Sequence, residues 1–333
     1  MKKIIAALML VVMSVILFGC DDDIKEPSTN EKVAVQWPEH MMLYSSGDDN
    51  TYYSITDESV RKTEALVQGN ILGVNADKHI LLYQDTDKKG YYLSRDEKNI
   101  KLSIKEQIKS CQISPDGEKI LYSVEKEDGS VSYFLYDVEK NKSLELSDLM
   151  ISGDMYFWKD KDSIIFYGID GENKGGIFKY NLDTKKIESS LILKGFVEKF
   201  LQDKGSIVYI LNKDDKRKTY LLDANTFKNK LVSDKIQSIG DMTYDGKDLY
   251  FTGIIKDNLY SLYKITMAQE KPLRLIYDLP SKVAENKKIL KLGSKIILVG
   301  KDEDNNELVA KYNIPDKAIE ILVDNIGQYD ILF

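Results

Sequence analysis

Residues 112–147 contain four short runs with the pattern of β-strands. The second and third runs are apolar on both faces, as in buried inner strands, and in the last run Leu144 and Leu146 alternate with Glu145, as in a half-exposed edge strand. Turn sequences separate the runs, and the clearest of them is Ser114–Gly117, with the sequence SPDG. There, Pro restricts φ, Asp caps the turn, and Gly accepts a positive φ. The stretch therefore predicts a four-stranded antiparallel unit.

Degenerate copies of this unit recur along the chain. Each copy has an apolar run whose last anchor residue follows the previous anchor by 39 to 47 residues. The anchors are Tyr44, Tyr83, Tyr122, Phe166, Tyr209, Phe251 and Leu298. A period of about 40 residues with four strands per unit is typical of a β-propeller. A single blade cannot bury both of its faces, so the units must close into a ring.

We therefore predict an all-β fold over residues 33–333, a β-propeller of seven four-stranded blades. The first unit is weak, which leaves six or eight blades open. A pair of β-sandwiches or a β-solenoid would not explain one period that runs through the domain without a linker. The last residues, Ile326–Phe333, resemble the first strand of another unit. We expect them to complete the blade that begins near Val33 and so close the ring.

The repeat resembles the TolB-like (WD-repeat-like, S-P-D-G-type) propeller family. The match is strongest around Ser114–Gly117, and decayed versions occupy the same turn at Asn75–Lys78, Lys159–Asp162 and Tyr244–Gly246. The resemblance covers about 290 residues and is specific to the fold. Such propellers serve mostly as interaction platforms and sometimes as regulatory caps on peptidases. The resemblance therefore implies a binding platform, but fold analogy assigns no activity.

The N-terminal residues have the pattern of a secretory signal. Lys2 and Lys3 precede the apolar run Ile4–Phe18, which is shorter than the roughly 20 residues of a membrane-spanning helix. The run leads into Leu17–Cys20, which resembles a bacterial lipobox. This resemblance implies cleavage before Cys20 and lipidation of that cysteine, as by palmitate. An uncleaved anchor or an ordinary signal peptide is the alternative.

We accordingly expect a lipoprotein signal peptide at 1–19, a lipidated Cys20 with a flexible acidic tether at 20–32, and the propeller at 33–333. The tether has too few apolar side chains to fold by itself. The expected location is the extracytoplasmic face of the cell membrane, to which the lipid anchors the protein.

The negative net charge of the chain indicates which classes of partner it can bind. The net charge is −7, and loss of residues 1–20, which contain two lysines and no acid, makes it −9. A general nucleic-acid binder needs a basic face, so no nucleic acid is expected. The expected partners are the membrane, through the lipid, and an envelope protein, peptide or glycan.

Motifs for catalysis are weak. The sequence contains no G-x-S-x-G motif, and Cys111 is predicted to be a buried core thiol. His40 and His79 are the only histidines and occupy equivalent repeat positions, so repeat inheritance explains them better than a shared metal. Acidic runs at Asp85–Gly90 and Asp302–Glu307 do not fit a calcium loop. No catalytic residue, cofactor or metal is therefore predicted.

Aromatic residues supply the remaining candidates for a ligand surface. Trp158 and Tyr156 fall on a predicted innermost strand, where Trp158 is expected to fill the gap between blades. The alternative is that Trp158 forms a stacking wall for a sugar or peptide at the channel mouth. The candidate ligand surface is Trp158, Tyr156, His40 and His79. Loops in which the copies disagree extend it, namely Asp48–Asn50, Asp170–Gly176, Lys213–Lys218 and Asp302–Asn306.

These observations favour a membrane-anchored lipoprotein whose propeller has a non-catalytic binding, scaffolding or sensory role. The alternative is an envelope glycan lyase or hydrolase that uses acids of the axial channel which no motif reveals.

Overall fold

The computed structural model describes residues 40–332, apart from short gaps at 47–48, 57–58, 68, 86, 88, 96–97, 204, 268–270, 278–281 and 325–326. The predicted signal peptide, Cys20 and the tether lie outside the described residues. Within the described part of the chain, no helix is long and apolar enough to cross a membrane.

The described residues form β-strands and one short 3₁₀ helix, Ala76–Lys78. The strands of the first half are β1 (His40–Ser46), β2 (Asp49–Ile55), β3 (Val60–Thr63), β4 (Asn70–Asn75), β5 (Ile80–Asp85), β6 (Gly90–Arg95), β7 (Lys98–Lys101), β8 (Ile108–Ile113), β9 (Lys119–Glu125), β10 (Val131–Asp137), β11 (Lys142–Glu145), β12 (Met150–Asp160), β13 (Ser163–Ile169), β14 (Gly175–Asn181) and β15 (Lys186–Ile192). Those of the second half are β16 (Phe196–Asp203), β17 (Ser206–Lys213), β18 (Lys216–Asp223), β19 (Asn229–Ser233), β20 (Ile236–Tyr244), β21 (Asp248–Ile255), β22 (Ser261–Thr266), β23 (Pro272–Arg274), β24 (Lys282–Val283), β25 (Leu290–Leu292), β26 (Lys295–Lys301), β27 (Glu307–Asn313), β28 (Ala318–Val323) and β29 (Gln328–Ile331).

The described strands form seven antiparallel sheets, which are the seven blades of a propeller. The second to sixth blades are four-stranded meanders of consecutive strands, β4–β7, β8–β11, β12–β15, β16–β19 and β20–β23. The first strands of neighbouring blades contact one another, as β4 does with β8 and β16 with β20, and so surround a central axis. The predicted fold class and blade number are confirmed.

The C-terminal strand closes the ring. The first blade has the strand order β29-β1-β2-β3, and Met42 lies opposite Ile331 in the β1–β29 pair. The main-chain N–H of Leu332 then donates to the carbonyl of Met41 at 2.8 Å. The closure predicted from Ile326–Phe333 is therefore confirmed, and the chain's two described ends share one sheet.

The second strand of each blade carries the core, because it is buried on both faces. In β9, Ile120, Leu121 and Tyr122 are fully buried. Ile120 and Tyr122 pack in a cluster with Ile80 of the second blade, whereas Leu121 packs with Phe166 of the fourth. Each such side chain contributes roughly 1.5–3 kcal/mol by burial, so the joints between blades hold the fold.

The Ser114–Gly117 turn forms as its sequence predicts. Gly117 donates its N–H to the carbonyl of Ser114 at 2.9 Å, and Ser114 N–H donates to Lys119 O at 2.8 Å. Gly117 has φ +79°, and a Cβ at this position would lie 2.1 Å from Cδ1 of Ile80. Glycine is therefore required by both backbone and packing.

Two regions differ from the repeat pattern. The innermost strand of the seventh blade is split, because β24 and β25 both pair with β26 and residues 284–289 bulge between them. The predicted loop Lys213–Lys218 is a two-residue turn at Asp214 and Asp215, which both have positive φ. This geometry suits the twist of a hairpin.

Candidate functional site

A cavity of about 700 Å³ lies on the propeller axis, at the end where the first strand of each blade turns into the second. We call it the axial cavity. The innermost strands β4, β8, β12 and β16 line it, together with the split strand of the seventh blade and the residue after β29. Its polar and aromatic lining residues are Cys111, Gln112, Trp158, Gln202, Asp203 and Lys288.

Trp158 belongs both to the core and to the cavity wall. Its side chain is only 6% exposed and packs in the cluster between the third and fourth blades. Its indole N–H donates to the carbonyl of Gln112 at 3.1 Å. The Gln112 amide in turn donates to the carbonyl of Tyr156 at 2.7 Å. These reciprocal bonds fix the indole, so the position predicted for Trp158 between blades also borders the channel.

Tyr156 lies behind this wall. It is fully buried, and its hydroxyl is 2.9 Å from the Ser110 hydroxyl. Ser110 also donates to Asp154 at 2.6 Å, and Tyr133 meets the Tyr156 ring edge-on at 5.9 Å. Burial raises the pKa of Tyr156 well above its usual value, so its hydroxyl stays protonated. Tyr156 therefore supports Trp158 from the core and is not among the residues that line the cavity.

The structure does not bring the two histidines into the cavity. His40 is the first residue of β1 and His79 immediately precedes β5, so they occupy equivalent positions in adjacent blades, as the repeat predicts. His79 is exposed in a left-handed conformation, φ 54°, and closes the 3₁₀ turn by donating its N–H to the Ala76 carbonyl.

The carboxylate of Asp203 joins the fifth blade to the sixth. It accepts a hydrogen bond from the Thr243 hydroxyl at 2.9 Å and another from the Tyr244 N–H at 2.6 Å. A carboxylate bound in this way is held in one orientation. Asp203 thus contributes a fixed negative charge to the wall, and sequence reasoning missed it because it reads as an ordinary turn acid.

The split strand of the seventh blade places Lys288 at the cavity. Its ammonium donates to the carbonyl of Leu332 at 3.0 Å, yet the side chain remains exposed. The next residue, Ile289, donates its N–H to the Asp241 carboxylate at 2.8 Å. Burial raises the pKa of Asp241, although the N–H of Ile289 and the charge of Lys288 oppose that shift.

Two further residues that line the axial cavity, Cys111 and Gln202, differ in whether their side chains are free to contact a ligand. The Cys111 thiol donates to the carbonyl of Leu72 at 3.2 Å, and burial raises its pKa to about 12. It is therefore a neutral thiol at physiological pH and a poor nucleophile. The predicted position in the core is only partly correct, because Cys111 packs against the core but is partly exposed at the cavity wall. The Gln202 amide is exposed to the cavity and forms no hydrogen bond with any described residue. Gln202 can both donate to and accept from a ligand.

The carboxylates of the acidic loops accept hydrogen bonds from residues of the same loop. Asp302 accepts hydrogen bonds from the Asn306 N–H at 2.8 Å and from the Asn306 amide at 3.0 Å. Asp85 accepts the N–H of Asp87 at 2.9 Å. In the part of the chain that the structure describes, no three His, Cys, Asp or Glu side chains come together as metal ligands.

Comparison with known proteins extends the assignment of the fold. No protein-family model and no curated protein matches this sequence. Among solved structures, the uncharacterized protein lmo1340 from Listeria monocytogenes has a TM-score of 0.59 and 11% identity over 87% of this chain and 94% of its own. Oligogalacturonate lyase from Vibrio parahaemolyticus has a TM-score of 0.52 and 12% identity over 85% and 84%.

TolB from Acinetobacter baumannii has 14% identity and a TM-score of 0.48 over 87% of this chain. The chain spans 65% of the TolB chain. At 11–14% identity, the likeness to lmo1340 and to the lyase shows the fold alone. The chain is a seven-bladed β-propeller of four-stranded antiparallel blades.

Proposed function

We propose that this protein is a membrane-anchored extracytoplasmic lipoprotein whose propeller binds a peptide segment of an envelope partner at the axial cavity, without catalysis. The observation that supports the proposal is that the reactive groups of the cavity wall are hydrogen-bonded within the protein, whereas polar groups suited to binding remain exposed. The groups that could do chemistry there, Asp203 and Cys111, are held in hydrogen bonds to a neighbouring blade. The exposed Gln202 amide forms no hydrogen bond with a described residue, and the exposed Lys288 ammonium keeps N–H donors for a ligand beside its bond to the Leu332 carbonyl. The Trp158 indole, whose N–H is already bonded to the Gln112 carbonyl, contributes only the small part of its surface that borders the cavity.

These residues suit a peptide. Amide groups pair with main-chain N–H and C=O groups, and an indole face packs against apolar or aromatic side chains. The Lys288 ammonium supplies one charge for a carboxylate. A volume of about 700 Å³ lies within the range of roughly 300–1,000 Å³ for small-ligand sites and admits two or three residues of a peptide.

Site-specific crosslinking in intact cells tests the binding function. A photoreactive benzoylphenylalanine is placed at Gln202 and, as a matched control, at Leu231 on the outer strand β19. We expect a discrete protein adduct from position 202 that is absent from position 231 and is lost when Lys288→Gln is added. Adducts of equal yield at both positions would contradict the proposal.

The proposed anchor needs its own test. Metabolic labelling with a palmitate analogue should mark the wild-type chain and leave Cys20→Ala unmarked, and the variant should leave the membrane fraction. Labelling of Cys20→Ala equal to that of the wild type would refute the anchor and leave the cavity proposal untouched.

A second candidate is an envelope glycan lyase or hydrolase. It is motivated by the fold likeness to oligogalacturonate lyase from Vibrio parahaemolyticus, and the Asp241 carboxyl, whose pKa burial raises, is the candidate acid. Turnover of an oligogalacturonate or cell-wall glycan panel that disappears in Asp241→Asn would favour this candidate. Ligand binding without turnover would favour the binding platform.

A further inference from the structure

A second cavity, of about 480 Å³, opens between the sixth and seventh blades and shares no residue with the axial cavity. We call it the outer groove. The outer strand β23 and the residues after it form one wall, and β27, β28 and their turn form the other. The residues relevant to binding are Leu273, Arg274, Tyr277, Tyr312, Lys317 and Ile319. Leu273 and Tyr277 are 54% and 64% exposed, so the groove presents apolar and aromatic surface to solvent.

Tyr312 has counterparts in two other blades. Tyr136, Tyr180 and Tyr312 are each the next-to-last residue of a third strand, and each lies opposite an Ile of the second strand. In the third blade, the Tyr136 hydroxyl accepts the N–H of Ser103, which lies in the connection from the preceding blade, at 2.9 Å. In the fourth blade, the Tyr180 hydroxyl donates to a carboxylate of the corresponding connection, Asp148, at 2.6 Å.

The hydroxyl of Tyr312 has no such partner. The side chain is 1% exposed, lines the outer groove and forms no hydrogen bond with a described residue. The hydroxyl itself faces the groove, where a ligand can accept a hydrogen bond from it. Burial raises the pKa of Tyr312, which keeps the hydroxyl protonated and able to donate.

The groove also carries uncompensated positive charge. The Arg274 guanidinium lies 5.1 Å from the centre of the Tyr277 ring, and its Nε donates to the carbonyl of Ile276 at 2.8 Å. Lys317 is exposed in the β27–β28 turn. Neither cation is ion-paired within the described chain, and the exposed Asp316 beside Lys317 accepts a hydrogen bond from the Asn313 amide at 2.6 Å. In a chain of net charge −7, this groove is therefore complementary to an acidic ligand.

We propose that the outer groove binds an acidic, partly apolar peptide segment of a partner protein. A carboxylate of that segment accepts hydrogen bonds from the Tyr312 hydroxyl and the Arg274 guanidinium. It thereby takes the place that Asp148 holds at Tyr180 in the fourth blade. An adjacent apolar side chain of the peptide packs against Leu273 and Tyr277. This interaction is separate from the proposed ligand of the axial cavity.

An array of hexapeptides tests the proposal with the purified full chain. Each peptide places one Asp or Glu beside Leu, Ile or Phe and is paired with a peptide in which Asn or Gln replaces the acid. We expect the protein to select the acidic member of the pairs. For the strongest binders, fluorescence anisotropy should show about tenfold weaker binding for Arg274→Gln and a three- to tenfold loss for Tyr312→Phe, typical of losing a charge-assisted and a neutral hydrogen bond.

Matched variants separate the groove from other effects. Tyr180→Phe removes the equivalent hydroxyl of the fourth blade and lines neither cavity, so it should bind the peptides like the wild type. Thermal melts identify any variant that fails to fold, and the charge-reversing Lys317→Glu then serves in place of a failed Arg274→Gln. Equal binding of acidic and neutral peptides, or full affinity in Arg274→Gln, would overturn the proposal. Oligogalacturonate binding that depends on Arg274, with no acid-dependent peptide binding, would also overturn it.

Discussion

Lys287 donates its ammonium to the main-chain carbonyl of Tyr329 at 2.9 Å and so ties the seventh blade to the strand that closes the ring. The same ammonium lies 3.2 Å from the carboxylate of Glu307, which accepts the N–H of Tyr329 at 2.8 Å. Lys287 and Glu307 are 16% and 11% exposed, respectively, so this is a largely buried ion pair. Asp330, at 2.9 Å, adds a more exposed partner. One lysine therefore anchors β29 through both charge and backbone.

We expect Lys287→Met to lower the free energy of unfolding by about 3 kcal/mol, because breaking a buried pair leaves the Glu307 carboxylate uncompensated. Urea unfolding followed by circular dichroism measures this loss. The matched control is Lys174→Met, which breaks an exposed, solvent-screened pair with Glu172 and should leave the unfolding free energy nearly unchanged. Equal losses in the two variants would mean that Lys287 does not hold the closing strand.

Gly117→Ala should destabilise the second-to-third blade joint more than Gly129→Ala. Both glycines have φ near +80°, so each alanine costs about 1–2 kcal/mol in backbone strain. At Gly129 a new Cβ meets nothing within 4 Å, whereas at Gly117 it lies 2.1 Å from Cδ1 of the fully buried Ile80. Overpacking at that site adds about 1–3 kcal/mol.

A double variant isolates the steric part of this effect. Ile80→Val removes the clashing Cδ1, so Gly117→Ala should cost less in the Ile80→Val background than in the wild type. Denaturant unfolding of the four chains of this cycle gives the coupling energy. A coupling energy of zero would show that the turn backbone, and not the contact with Ile80, requires glycine.

Much of this architecture could be predicted from local pattern. The apolar run of β9 and the SPDG turn predicted the blade, and the recurrence of both predicted the ring and the role of Ile326–Phe333. The interactions that build the axial cavity could not be predicted in this way. Gln112 and Trp158 are 46 residues apart and meet through a side chain and a main-chain carbonyl, which leaves no trace in hydrophobic periodicity.

The split strand of the seventh blade shows the same limit. The interval between Phe251 and Leu298 is the longest of the six, at 47 residues, but the sequence pattern does not place a split strand there. Lys288 lies at the cavity between β24 and β25, next to Ile289, whose N–H bonds the Asp241 carboxylate of the sixth blade. Similarly, the sequence does not show that the Tyr312 hydroxyl lacks a hydrogen-bond partner among the described residues. This becomes apparent only by comparison with the partners of Tyr136 and Tyr180 in the structure.

Variants of Trp158 and Gln202 should distinguish a residue that stabilises the fold from one that binds the ligand. Trp158→Phe leaves the carbonyl of Gln112 without its donor, and we expect a loss of about 1–3 kcal/mol in unfolding free energy. Gln202→Ala removes an exposed amide that bonds no described residue, so its unfolding free energy should stay within about 0.5 kcal/mol of wild type. Gln202→Ala should nevertheless weaken the crosslinked partner's binding to the purified chain. Wild-type affinity in this stable variant would exclude Gln202 from the ligand site.

The last prediction concerns the Cys111 thiol, whose pKa burial raises from 9.0 to about 12. In a Cys20→Ser chain, Cys111 is the only thiol, so iodoacetamide reports on it alone. We expect slow alkylation of the folded protein at pH 8–10 and rapid alkylation in denaturant, because only the thiolate reacts.

The unfolded thiol loses its proton as pH passes 9, whereas the folded thiol keeps it until about 12. The contribution of Cys111 to stability is therefore complete below pH 9 and is lost as pH rises toward 12, by about 1.4 kcal/mol per unit. Cys111→Ala should flatten this part of the stability–pH curve relative to the parent chain, and an identical slope in both would show that the thiol titrates alike in the folded and unfolded states.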